Sequence, residues 1–130
     1  MKRIFIVVAV LLLFLECAFA RQKECEAQAS VTSQRISHHG SASRVHFRFS
    51  VRHDAPRASY DQGVRVWLEY RYEYEGEDGR VYTGGASPVE SFRSQSGSIS
   101  HYDTLDYSYN KKPVRILDSW VNRTTCHYRE

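Results

Sequence analysis

VRVWLEYRYEYE, residues 64–75, alternates without a slip: Val64, Val66, Leu68, Tyr70, Tyr72 and Tyr74 fall in one phase, and Arg65, Trp67, Glu69, Arg71, Glu73 and Glu75 in the other. Successive side chains of a strand point to opposite faces, so this period of two predicts a strand with one face buried and one face wet. Gly76-Glu77-Asp78-Gly79 follows, and its Asp-Gly step supplies the left-handed backbone of a tight hairpin. Residues 80–83 are therefore expected to return antiparallel to the first run.

The same period runs through the chain on either side. Between residues 43 and 53, Val45, Phe47, Phe49 and Val51 alternate with Arg44, His46, Arg48, Ser50 and Arg52, which predicts a strand whose outward face is basic. Asp54-Ala55-Pro56 breaks that strand, and residues 57–63 read as a loop. Residues 25–36 fit a strand with a slip through Ala27, Ala29, Val31 and Ile36, closed by the turn His38-His39-Gly40-Ser41. Residues 87–93 are a weaker extended segment carrying Val89 and Phe92, residues 95–98 a Ser/Gly-rich turn, and residues 99–109 a strand with Leu105, Tyr107 and Tyr109 on one face. The last run, 114–128, holds Val114, Ile116, Trp120 and Cys126 in one phase but Leu117 and Val121 in the other, so a bulge or burial on both faces is expected.

Six to seven short strands, turn signals between them and no long helix-period segment predict an all-β chain: a small antiparallel β-sandwich, immunoglobulin-like or fibronectin-like in broad architecture. The Cys-Trp-Cys spacing of antibody domains is absent, and no family is assigned.

The compartment is read from the amino end. Lys2 and Arg3 precede an apolar run over residues 4–15, and Ala18-Phe19-Ala20 forms a small-x-small cleavage pattern. Residues 1–20 thus read as a secretory signal peptide cut before Arg21, too short an apolar run for a spanning helix, which needs about 20 residues. Glu16 before Cys17 argues against lipid attachment. A secreted or periplasmic product is expected, without stable membrane insertion, and residues 21–130 form one domain.

Two cysteines remain, Cys25 and Cys126, and in an oxidising compartment they are expected to pair, joining the first and last strands. Loss of residues 1–20 removes Lys2, Arg3 and Glu16, so the formal charge falls from +3 to +2, a balance that does not by itself imply a polyanion partner, and no nucleic-acid partner is expected. The basic residues are mostly arginine and all nine tyrosines follow residue 20; both types are favoured at interfaces.

No constellation carries chemistry. The histidines lack HxH or HExxH spacing, GxSxG and phosphate-binding Gly-rich loops are absent, and neither catalytic residues, metal ligands nor a cofactor is assigned. The expected function is binding of a protein or a glycan through a sheet face bearing Trp67, Arg65, Arg71, Arg44, Arg48 and Arg52. Trp67 stands in the polar phase of its strand, either exposed or covered by residues 87–93, and the arginines of the two strands would form one surface if the strands lay side by side. Cross-strand pairing of those arginines with Glu69, Glu73 and Glu75 is the plainer account of the same charges. Two alternatives are a small secreted hydrolase or metal-dependent enzyme using His38, His53 or His101, and a structural subunit, which a long unpaired hydrophobic edge strand would indicate. Asn122-Arg123-Thr124 is a glycosylation sequon, meaningful only in a eukaryote.

Overall fold

The computed structural model describes residues 22–129, so the signal-peptide reading of residues 1–20 lies outside the described residues. Eight strands follow in order: β1 (Gln22–Cys25), β2 (Ala27–His39), β3 (Ala42–His53), β4 (Val64–Gly76), β5 (Val81–Ala86), β6 (Val89–Phe92), β7 (Ser96–Asp106) and β8 (Pro113–Arg129). They form two antiparallel sheets. One has the order β1-β8-β4-β5, with β6 also pairing β4, and the other the order β2-β3-β7.

The sandwich follows from the alternation of β3 and β4, which belong to different sheets and bury their apolar phases against each other. Val45, Phe47, Phe49 and Val51 from one side and Val64, Val66, Leu68, Tyr70, Tyr72 and Tyr74 from the other are all buried. Phe47 lies 4.8 Å from Tyr70 and 5.0 Å from Tyr72 between ring centroids, and Phe49 lies 4.9 Å from Tyr70, in the tilted geometry that aromatic quadrupoles favour. The tyrosine hydroxyls end on polar partners supplied by β7: Tyr70 Oη is 2.9 Å from His101 Nδ1, and Tyr72 donates to Asp103 Oδ2 at 2.6 Å. Each buried ring thus delivers its apolar area to the core without stranding its hydroxyl.

Burial first, and the nearby Asp103 carboxylate second, hold the phenols of Tyr70 and Tyr72 well above the ordinary tyrosine range; Tyr74 is raised in the same way. A group whose folded-state value is raised contributes stability that is fully present below its unfolded value and lost as the pH rises above it. Stability is therefore expected to fall as the pH passes 10.0, the ordinary tyrosine value. In an alkaline titration the tyrosinate absorbance of these three rings should rise together with loss of the sheet signal in circular dichroism. Reversible ionisation of all nine tyrosines near the ordinary value in an intact fold would contradict this.

Several local expectations are refined. Eight strands stand where six or seven are counted from the sequence, because Glu26 separates a short β1 from β2. The slip in β2 is a register shift between Val31 and Ser33. Residues 57–63 are more ordered than a loop: Arg57–Gln62 form a 3-10 helix that carries the chain from one sheet to the other. Of the segment 95–98 all but Gln95 is already strand, and β7 ends at Asp106 rather than at Tyr109. Asp106 accepts hydrogen bonds from the Ser108 and Asn110 amides, which turns the chain so that Tyr107 folds back to Ser43 while Tyr109 is left exposed.

In β8 the mixed phase resolves into three register shifts against β4. They place Cys126, Thr124, Val121, Ser119 and Ile116 opposite the buried residues of β4, whereas Trp120 falls opposite Arg71 on the outer face and does not share a phase with Cys126. The hairpin from β4 to β5 turns at Gly79, whose φ of 78° is open to glycine at little cost. Gly84, opposite Tyr72, is required for space: a Cβ there would stand 2.4 Å from the Tyr72 ring. Cys25 and Cys126 form the expected disulfide, directly opposite one another on β1 and β8.

Candidate functional site

Because β3 and β4 lie in different sheets, their outward phases point to opposite sides of the sandwich. The single surface expected from Trp67, Arg65, Arg71, Arg44, Arg48 and Arg52 is therefore two surfaces. The physical cause is the shared core: two strands that bury their apolar phases against each other must turn their polar phases apart.

The outer face of the five-stranded sheet holds Arg65, Trp67 and Arg71. Trp67 is half-buried beside Thr125 of β8 and Val89 of β6, so the segment 87–93 flanks the indole within the sheet rather than covering it. His127 packs edge-on against the indole at 5.5 Å, and the Arg65 guanidinium lies 5.8 Å from its centroid. Charges on this face are mixed and partly paired. Arg71 meets Glu69 at 3.4 Å, Arg115 meets Glu75 at 2.5 Å, and Asn122, exposed beside a register shift, donates to Glu69 at 3.1 Å. Glu75 does pair across strands, but with Arg115 of β8 rather than with any arginine singled out from the sequence, and Glu69 pairs with Arg71 along its own strand.

The outer face of the three-stranded sheet is different in kind. Arg44, His46, Arg48, Ser50 and Arg52 run along the middle strand; the register sets Ser37, Arg35, Ser33, Ser30 and Gln28 beside them on β2, and Thr104, Tyr102, Ser100, Ser98 and Ser96 on β7. No carboxylate occurs among these side chains. The nearest acidic residues bound the strip: Asp106 opposite Ala42 at one end, and Asp54 and Glu26, bonded to each other, at the other. No carboxylate among the described residues is within ion-pair distance of Arg35, Arg44, Arg48 or Arg52.

Local contacts hold this strip in place. The Arg44 guanidinium lies 4.8 Å over the Tyr102 ring, His46 packs on the same ring at 5.6 Å, and Arg48 donates to Ser98 at 3.4 Å. Ser37 Oγ sits 2.9 Å from His46 Nε2 and 2.8 Å from His39 Nε2. Burial first, and then the charges of Arg35, Arg44 and His39, hold the His46 imidazole below its ordinary value, so it is neutral at pH 7 and the arginines carry the positive charge. Arg35 and Tyr102 are the residues that sequence reasoning missed here. The basic alternation of β3 was visible, but the slip in β2 concealed which of its residues share that face.

The three histidines considered for catalysis lie apart in function. His38 bonds Ser43, His53 is buried between the Ser94 carbonyl and the Ala55 amide, and His101 bonds Tyr70. Among the described residues no three His, Cys, Asp or Glu side chains gather in a geometry that would hold a metal ion. Nor is any helix among them long and apolar enough to cross a membrane.

Fold and faces together define a disulfide-clasped, two-sheet antiparallel β-sandwich with one mixed and one basic outer face. The chain matches no protein-family model, no curated protein and no solved structure.

Proposed function

We propose that the chain is an exported, non-enzymatic binding module that captures an anionic macromolecule on the outer face of its three-stranded sheet. The observation that carries this is the file of Arg44, Arg48 and Arg52 on β3, with Arg35 beside it, on a strip without carboxylates. Arginines that no carboxylate among the described residues neutralises can give bidentate, charge-assisted hydrogen bonds to sulfate, phosphate or carboxylate groups. The disulfide, which fits an oxidising compartment, pins β1 to β8 in the opposite sheet just before the chain enters β2 of this face.

A second reading uses the opposite face. Trp67, Glu69, Ser87, Arg123, Thr125 and His127 border a shallow depression of about 380 Å³, and an aromatic ring among arginines is the usual composition of a protein hot spot. The two readings separate in one comparison of partner capture. Arg48→Ser is expected to weaken retention of anionic polymers with no change in thermal stability, and Trp67→Ala to leave that retention intact. Loss of capture in Trp67→Ala alone, with the fold preserved, would transfer the function to the other face.

A further inference from the structure

Resting on the binding-face reading above, we infer that the partner of the three-stranded face is a linear sulfated polysaccharide. The face contains no Leu, Ile, Val, Phe, Trp or Met among its outward side chains, and its one tyrosine, Tyr102, is 49% exposed but packed against Arg44 and His46. Protein partners draw their affinity from buried aromatic and aliphatic anchors, which this strip does not offer. Single-stranded nucleic acids use a succession of rings on which to stack bases, and this strip presents a single tyrosine, Tyr102.

What the strip offers instead suits a sugar chain. Arg44, Arg48 and Arg52 lie on one straight strand, spanning roughly 27 Å at ~3.4 Å per residue. Hydroxyls flank the file on both sides: Ser37, Ser33 and Ser30 on β2, and Thr104, Ser100, Ser98 and Ser96 on β7. Guanidinium groups match the paired oxygens of a sulfate, and serine and threonine hydroxyls exchange hydrogen bonds with sugar hydroxyls in either direction. A shallow depression of about 370 Å³ bordered by Ser33, Arg35, His46, Arg48, Ser100 and Tyr102 lies at the middle of the file, where a chain running along β3 would rest.

The test compares heparin, fully desulfated heparin, poly-L-glutamate and double-stranded DNA as immobilised probes for the disulfide-bonded protein, produced as the full chain through a secretory route. Heparin is expected to bind tightest and the desulfated form about tenfold weaker or worse. The triple variant Arg44→Ser, Arg48→Ser, Arg52→Ser should lower heparin affinity by about tenfold or more. The charge-matched variant Arg65→Ser, Arg71→Ser, Arg123→Ser, on the opposite face, should change it by less than about threefold. In the unaltered protein, bound heparin should shield Arg44, Arg48 and Arg52 from an arginine-directed reagent and leave Arg71 open to it, a readout that needs no variant to fold. Equal losses in the two triple variants, or no selective shielding, would show attraction by net charge alone and overturn the inference. Tighter capture of polyglutamate or DNA, dependent on the β3 arginines, would overturn the glycan but keep the binding face. Retention of none of the polyanions would overturn both.

Discussion

Replacing Cys25 and Cys126 together by alanine is expected to lower the stability of the fold by about 4 to 5 kcal/mol. The bond joins residues 101 positions apart, so its loss releases nearly the whole described chain from a closed loop, and the chain-entropy account gives about 4.7 kcal/mol for a loop of roughly 100 residues. Against a total of about 5 to 15 kcal/mol for a typical domain, that is a large fraction. The location adds to the effect. β1 has four residues, three of them exposed, and among the described residues its strand partner is β8, to which the disulfide joins it. Chemical denaturation of the oxidised protein, the reduced protein and the double variant checks this. The latter two should unfold at matching, much lower denaturant concentrations, and amide exchange should rise first over β1. A double variant within about 1 kcal/mol of the parent would mean that the closed loop does not govern stability here.

Tyr72→Ala is expected to cost about 3 to 5 kcal/mol, the range for deleting a buried aromatic ring. Tyr72 is fully buried at the centre of β4, faces Phe47 at 5.0 Å, covers the space that Gly84 leaves, and reaches Asp103 in the other sheet. Its removal therefore opens a cavity between the sheets and leaves a half-buried carboxylate without its donor. Tyr72→Phe separates the two effects, keeping the ring and losing only the hydroxyl, at about 1 to 3 kcal/mol for an acceptor left unsatisfied. Equilibrium unfolding of both variants reads the difference directly. Should Tyr72→Phe prove as stable as the parent, the contact with Asp103 would be incidental and the packing of the ring the whole effect.

The two largest effects thus rest on features of different legibility. The cysteine pair could be read because residues 21–130 hold two cysteines, which have one possible pairing with each other. The partnership of Tyr72 with Asp103 could not: the phase of Leu105, Tyr107 and Tyr109 already carries Ile99, His101 and Asp103 on the same face, but alternation within one strand does not say which residues of the other sheet that face meets. A histidine and an aspartate on a core-facing phase look like errors of alternation until the facing tyrosine hydroxyls are seen.

For the candidate site the division is similar. The basic phase of β3 is legible from residues 44–52 alone, since alternation fixes which side chains share a face. Its neighbours were hidden wherever a strand slips: one register shift in β2 settles that Arg35 and Ser37 stand beside His46 and Arg44, and three in β8 turn Trp120 outward opposite Arg71. Each such shift moves every later side chain to the other face, and nothing local in the sequence marks where the ladder will accommodate it.

By itself the sequence determined β3 and β4, the hairpin at Asp78-Gly79, the phase buried in those two strands, and the pairing of Cys25 with Cys126, because each depends on near-neighbour stereochemistry or, within residues 21–130, on a choice with a single solution. Only the tertiary structure decided that β3 and β4 belong to different sheets, and so that Arg44, Arg48 and Arg52 form one surface while Trp67, Arg65 and Arg71 form another. That decision is made by the packing of two apolar phases across a common core, a relation between distant residues that no periodicity along the chain encodes.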